Sequence, residues 1–318
     1  MKPSTIKILR KYDLLLIIGT ILLMAPFVTV QRMTDFIIFS IFVLAYDLLY
    51  GYMGRLSFGH MLYFGVGAYA TALTTEHLTG NPFLAILVAL IAGGTVGLIL
   101  GPIIVRTTGA CFALINLAFN QLGFFIALTG LAEWTGGEDG MASVFDKVWL
   151  LNFNNRFVVF GFSLISLILT VFFVRRLTDS PFGLLLRTIK ENETRAKFLG
   201  YNTYIYKLTA FAISTSLAAF AGSLSILNYT YVTTSFIDTT RNVEVIFASL
   251  IGGAGSVYGA IIGGFGYMTI ANYLPKYIQR WEMFLGFALL LQILFFREGI
   301  WGYLTKVFNQ TKPEGKDS

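Results

Sequence analysis

The chain has 318 residues, 56% of them hydrophobic and only 13% charged, with a formal charge of +6 and a mean hydropathy of +0.71. Soluble domains carry about 25% charged residues, so roughly half of the usual solvated surface is missing, and the composition describes a polytopic integral membrane protein. One cysteine (Cys111) excludes an internal disulfide and any multi-thiol metal site, and two histidines, His60 and His77, are too few and too far apart for a metal cluster. The basic excess does not call for nucleic acid, because Lys and Arg collect at the cytoplasmic edges of membrane spans.

Residues 1–12 carry Lys2, Lys7, Arg10 and Lys11 and no acid, directly before an apolar run at 14–30. The run has no small-x-small cleavage site and reads as a retained first span with a cytoplasmic N-terminus; a secretory signal is the alternative. A turn at 31–34 leads into a second span at 36–50. Asp47 lies near its cytoplasmic end and is either a functional carboxylate, a solvated one, or a partner for Arg55. His60, at the start of the next run, reads as a helix-terminus hydrogen bonder rather than a proton relay. The apolar part of that run, 56–73, is punctuated by Gly59, Gly65 and Gly67, and a fourth span at 83–105 carries Gly93, Gly94, Gly97 and Gly101. Small residues at such spacing let helix backbones approach closely in a membrane.

A fifth span, 109–130, contains Asn116, Asn120 and Gln121. Asn116 and Asn120 share a helix face, and polar groups at that depth either line a water-filled path or make hydrogen bonds between helices. A polar loop at 131–156, with Glu133, Glu138, Asp139 and Asp146, suits the outer face. The span at 157–174 returns the chain to the cytoplasm at Arg175 and Arg176. Residues 180–207 are the longest stretch rich in charge, with Arg187, Lys190, Glu191, Glu193, Arg195 and Lys197. Ser180 with Pro181 marks a helix start and Gly200 a stop. The expectation is one or two short amphipathic helices at the membrane surface, either an interaction surface or a solvated loop with the pairs Glu191–Arg195 and Glu193–Lys197.

The span at 208–227 leads out to a loop at 228–241. The next apolar piece, 243–273, is long for one straight span and is broken by GGAGSVYG, 252–259. Unwound backbone at membrane depth is tolerated only when buried in protein or lining a cavity. A last span at 282–296 precedes a tail with Lys306, Lys312 and Lys316. Counting the broken piece as two crossings gives ten, with both termini and the basic clusters in the cytoplasm, as the positive-inside rule prefers. Eight full spans with re-entrant segments satisfy the same charge bias. The fold class is therefore an all-α polytopic membrane protein with eight to ten crossings and a broken Gly-rich helix. It comprises a single transmembrane domain over 1–304, a cytoplasmic segment at 175–207 and a cytoplasmic tail at 305–318. No phosphate-binding loop, nucleotide fingerprint or nucleophile constellation is present.

The stretch SPFGLLLRTIKENETRAKFLGYNTYIYKLTAFAISTSLAAFAGSL closely resembles the signature region of Liv-type permeases, the membrane subunits of ABC importers for branched-chain amino acids, with relatives for urea and short amides. GYMGRLSFGHMLYFGVGAYATAL, TGGEDGM, IGGAGSVYGAIIGG and REGIWG resemble further family segments, in the family's order. Within the family the chain looks like the longer of two paired permeases. It departs at Tyr258-Gly259-Ala260, where the family usually has a proline, and in its aromatic content.

The resemblance implies an ATP-driven, alternating-access importer subunit in a prokaryotic cytoplasmic (inner) membrane, itself neither catalytic nor a binder of cofactor or metal. ATP and Mg would sit on two partner ABC ATPases. The other partners would be a second homologous permease, an extracytoplasmic substrate-binding protein and membrane lipid, with no nucleic acid. It makes Arg187, Lys190, Glu191, Asn192, Glu193, Arg195, Ala196 and Gly200 the ATPase-coupling residues. The expected translocation path combines Asn116, Asn120 and Gln121 with the break at Gly252, Gly253, Gly255 and Ser256. A stand-alone secondary transporter is the rival reading, and it needs more intramembrane charge than Asp47 supplies.

Overall fold

The computed structural model describes residues 28–148 and 151–281, together with positions 19, 283–284, 286–287, 290 and 299–303. Apart from isolated positions, the expected spans at 14–30 and 282–296 lie outside the described residues, as do the first two residues of the REGIWG segment and the tail.

The described α-helices longer than a single turn, in chain order, are α1 (Val30–Asp47), α2 (His60–His77), α3 (Pro82–Ile104), α4 (Ala110–Phe125), α5 (Arg156–Thr178), α6 (Pro181–Phe198), α7 (Thr203–Tyr229), α8 (Thr240–Gly252) and α9 (Val257–Tyr273). Five helical stretches among the described residues are long and apolar enough to cross a membrane: Val30–Tyr52, Pro82–Ile104, Ala110–Gly130, Arg156–Thr178 and Thr203–Tyr229. The other helices are shorter or more polar. With about 1.5 Å of rise per residue, the 13 residues of α8 reach about 20 Å, well short of a hydrocarbon core of about 30 Å.

The expected turn at 31–34 is instead the first turn of α1. No proline or glycine interrupts the chain between Val30 and Asp47, and the Thr34 hydroxyl donates to the Val30 carbonyl within the helix (2.9 Å). Polar residues at the end of a span need no loop to solvate them.

α1 is apolar almost all round and is the buried centre of the bundle, as expected for a helix with neighbours on every side. It packs against α5, α7, α8 and α9, while α7 packs against α1, α2 and α3. The glycines set how close these helices come. Gly93, Gly97 and Gly101 of α3 face Ala219, Thr215 and Phe211 of α7, and Gly222 of α7 lies against the Phe64 carbonyl of α2. α3 and α5 turn exposed rows outward, including Leu87, Ile91, Leu98, Phe157, Leu169 and Phe172. Such apolar surface suits lipid contact or another membrane helix.

At one end of the bundle, the loops after α4 and α7 join. Met141–Ala142 (β1) pairs antiparallel with Tyr231–Val232 (β2), Met141 opposite Val232. The Tyr231 hydroxyl donates to the Asp139 carbonyl, and the Ser143 amide to Thr230 (2.9 Å). The acidic TGGEDGM turn is thus part of a two-loop cover. Beneath it, Asp35 accepts hydrogen bonds from Asn228 Nδ2 (2.6 Å) and the Tyr229 hydroxyl (2.8 Å), tying α1 to the end of α7.

Candidate coupling and translocation site

At the opposite end, α6 leaves the bundle. Ser180 is its N-cap with Pro181 in the first turn, and Gly200 takes a positive φ of 87° just beyond its end. The helix is two pieces, because Asn192 has extended backbone (φ −159°, ψ 97°) inside it. Asn192 acts as the N-cap of the second piece: its Oδ1 accepts from the Arg195 amide at 2.9 Å. The first piece buries Leu185, Leu186 and Ile189, and the second buries only Ala196. Arg195 and Lys197 are exposed, and Phe198 and Leu199 stand 87% and 66% exposed.

Glu193 fixes the second piece to the bundle. Its Oε2 accepts from Arg55 Nη2 at 2.8 Å, and its Oε1 accepts from Lys207 Nζ (2.8 Å) and the Thr203 hydroxyl (3.2 Å). Lys197 Nζ lies 3.2 Å from the same oxygen. The Lys207 side chain is only 6% exposed and that of Glu193 18%. Burial by itself would raise the Glu193 carboxyl, but the hydrogen bond and charge of Lys207, helped by Lys197, outweigh it and hold the group at about 2. Glu193 therefore points into the protein, unlike the exposed Glu191 and Arg195 of the same stretch. The expected pair Glu193–Lys197 forms; Glu191 and Arg195 make no salt bridge among the described residues. Lys190 donates to the Gly51 carbonyl (2.7 Å) and Arg187 stacks over the Tyr52 ring (5.0 Å), so α6 also clasps the end of α1.

The broken element is a helical hairpin. α8 ends at Gly252, and α9 starts after Ser256, whose hydroxyl caps it by accepting from the Gly259 amide (3.2 Å). Gly252 lies against the Gly259 carbonyl and Gly263 against the Ala248 carbonyl, so the two helices run antiparallel in close contact. The turn needs no proline. Gly255 adopts φ +85° and presses its backbone onto Gly51, a conformation and an approach that a side chain would obstruct.

The buried Asp47 receives that turn. Both carboxylate oxygens lie 3.0 Å from the Gly255 amide nitrogen, and the Ser249 hydroxyl donates to Oδ1 at 3.1 Å. Asp47 is thus neither solvated nor paired with Arg55, which goes to Glu193.

Asn116 and Asn120 are both buried on one face of α4, while Gln121 is exposed. Asn120 Nδ2 donates to the Ile237 carbonyl (2.8 Å) and the Thr239 hydroxyl (3.1 Å), which Gln121 also reaches (2.6 Å). Asn242 in the first turn of α8 donates to Asn120 Oδ1 (3.4 Å) and accepts from the Met61 amide (2.8 Å). Asn116 donates to the Phe112 carbonyl, and its Oδ1 is buried without a partner among the described residues. The two groups of expected path residues are therefore not adjacent: the α4 amides sit at the start of α8, and Gly252, Gly253, Gly255 and Ser256 lie at its far end. Two residues that sequence reasoning did not single out bond near the α4 amides and near the start of α1: Asn242 ties Asn120 to the start of α2, and Asp35 ties α1 to the end of α7. A cavity of about 210 Å³ lies beside them, walled by Ile38, Phe42, Phe64 and Met268, with Asp35, Glu244 and Arg241 as its charged residues. His60 is buried with Nε2 3.1 Å from the Ser214 hydroxyl, a partner on α7. Among the described residues no group of His, Cys, Asp and Glu could hold a metal ion.

Residues 28–294 match the family model described as branched-chain amino acid transport system / permease component. The chain belongs to this family. It is 24% identical over 298 residues to the high-affinity branched-chain amino acid transport system permease protein LivM of Escherichia coli, covering 86% of this chain and 69% of that protein. A probable LivM of Methanocaldococcus jannaschii is 25% identical, with 80% and 77% covered. The LivH permease protein of E. coli is 25% identical, with 80% and 88% covered. No solved structure matches the chain. It is a multi-pass membrane protein of the Liv-type permease family.

Proposed function

We propose that the chain is a non-catalytic permease subunit of an ABC importer that moves branched-chain amino acids or related small polar solutes inward by ATP-driven alternating access. It would pair with a second, homologous permease, bind two ATPases at the α6 end, and receive solute from an extracytoplasmic binding protein at the two-loop cover. This orientation puts α6 and the termini in the cytoplasm of a prokaryotic cell. It also makes the crossing count ten, with the α8–α9 hairpin contributing two.

The observation that carries the reading is the second piece of α6. It stands out from the bundle with Arg195, Lys197, Phe198 and Leu199 exposed, and it is hinged at Asn192 and latched through Glu193 to α7 and the α1–α2 connection. A partner pressing on that surface moves two membrane segments together. Arg187, Lys190, Glu191, Asn192, Arg195, Ala196 and Gly200 make up the rest of this coupling region. The roles within it differ: Glu193 transmits from inside, whereas Glu191 and Arg195 meet the partner. Asn116, Asn120 and Gln121, the cavity beside Asp35 and Arg241, and the Gly252–Ser256 turn form the path at successive depths. The cavity's mixture of apolar wall and opposite charges suits a small zwitterion with an aliphatic body.

The test is uptake by the chain coexpressed with its candidate ATPases, paired permease and binding protein, comparing wild type with Gly200→Trp. An added Cβ at Gly200 meets nothing within 4 Å, and the left-handed backbone there costs a non-glycine residue about 1–2 kcal/mol. Normal membrane insertion with ATP-driven uptake abolished is expected. Undiminished ATP-driven uptake would refute the coupling assignment, and ATP-independent uptake by the chain alone would favour a secondary transporter.

A further inference from the structure

Between α6, the end of α3 and the start of α7 lies a cavity of about 840 Å³. Arg55, Arg106, Lys190, Lys197 and Lys207 line it, with Glu193 as the one carboxylate among its lining residues. Glu193 engages Arg55, Lys197 and Lys207, and Lys190 is spent on the Gly51 carbonyl. Arg106 makes no ion pair among the described residues; its guanidinium lies over the Tyr204 ring at 5.5 Å. The cavity is therefore strongly electropositive even after its internal pairs are counted.

Its position selects the anion. Arg106 follows the last residue of the α3 span by two positions, and Lys207 lies just inside the start of the α7 span. Tyr201 and Tyr204 are at the same level, where amphipathic aromatic residues mark a membrane–water boundary. Near these groups in the chain, Ile103 on the membrane side of Arg106 and Ile205 next to Tyr204 are 55% and 54% exposed. A basic recess between helix ends that also carry exposed aliphatic side chains offers a surface to a phosphate close to one for hydrocarbon, and basic pockets between membrane helices bind lipid headgroups in this way.

We propose that this cavity holds the phosphodiester headgroup of an anionic phospholipid, with Arg106 as its main contact and Ile103 and Ile205 beside its acyl chains. The leaflet follows from the orientation proposed above, whereas the chemistry is independent of it and of the transported solute. Because the headgroup sits against Lys190, Lys197 and Lys207, the lipid braces the hinged piece of α6 against α3 and α7.

The experiment is native mass spectrometry of the full-length chain released from micelles containing phosphatidylglycerol or zwitterionic phosphatidylcholine. Wild type is expected to retain phosphatidylglycerol selectively. Arg106→Gln should lower that retention roughly fivefold, and Arg106→Lys, which keeps the charge, should largely preserve it. Should Arg106→Gln fail to fold, the wild-type preference between the two lipids still decides. Equal retention of both lipids, or unchanged retention in Arg106→Gln, overturns the proposal. Displacement by inorganic phosphate overturns the lipid source in favour of free phosphate. Displacement on adding the candidate ATPases overturns it in favour of a protein docking surface.

Discussion

Replacing Glu193 by Gln keeps the side chain's size and one carbonyl acceptor but removes the charge that Arg55, Lys197 and Lys207 share. The size of the effect follows from exposure. Removing one member of a fully buried pair costs about 3–5 kcal/mol, whereas an exposed pair contributes about 0–1 kcal/mol. Lys207 and Arg55 are 6% and 14% exposed and Glu193 is 18% exposed, while Lys197 is 61% exposed and adds little. The expected loss is therefore intermediate, about 2 kcal/mol. Unfolding of the purified chain in micelles measures it, and a cycle with Arg55→Gln isolates the pair, for which a coupling of about 1–2 kcal/mol is expected. Additivity of the two substitutions within about 0.5 kcal/mol would refute the latch. The pH dependence provides a second check. The folded carboxyl is held at about 2, below its ordinary value of about 4.3. Its stabilisation is thus fully present above that ordinary value and is lost as pH falls from there through about 2. Between pH ~5 and ~8, the wild-type minus Glu193→Gln difference should stay flat.

Asp47→Ala should strand the Gly255 amide and cost about 1–3 kcal/mol, with faster hydrogen exchange confined to residues 253–256; Asp47→Asn, which keeps an acceptor, should cost less. Asn242→Ala removes the acceptor of the buried Met61 amide and should destabilise by a similar amount, about 1–3 kcal/mol, measured by thermal unfolding in micelles. Gly97→Leu places bulk against Thr215 of α7 and should cost about 1–3 kcal/mol or prevent assembly, whereas Gly161→Leu, where a Cβ meets nothing within 4 Å, should be tolerated in the same expression assay.

Much of α6 was legible because its signals are local. Ser180-Pro181 starts α6 and Gly200 follows its end, and a charged stretch between apolar ones cannot lie in hydrocarbon. The GGAGS break was legible for the same reason, since clustered glycines announce a backbone that side chains would obstruct. The hinge at Asn192 was not. A single Asn among Glu, Thr and Arg reads as helix, and it takes the extended backbone of Asn192 and its capping bond to Arg195 to show that it begins a new one. The inward turn of Glu193 was equally hidden, because Arg55 lies 138 positions away and no local pattern predicts that pairing. At the start of α1, three polar residues were read as a turn because hydropathy falls there; helix continuity depends instead on the absence of breakers. For Asn120, the sequence offered a hydrogen-bonding role without its partners, because Ile237 and Thr239 lie 117 and 119 positions away.

The sharing of one carboxylate among three cations has a mechanical consequence. Arg55 belongs to the connection between α1 and α2, and Lys207 to the first turns of α7, so the two are anchored to opposite oxygens of one carboxylate, Arg55 to Oε2 and Lys207 to Oε1. A force applied to residues 193–199 does not travel along a single rod. It divides at Glu193 like a rocker arm with two pushrods, and neither branch can be displaced without loading the other. Loss of Glu193 would therefore release both branches at once, whereas loss of Arg55 or of Lys207 would release only its own.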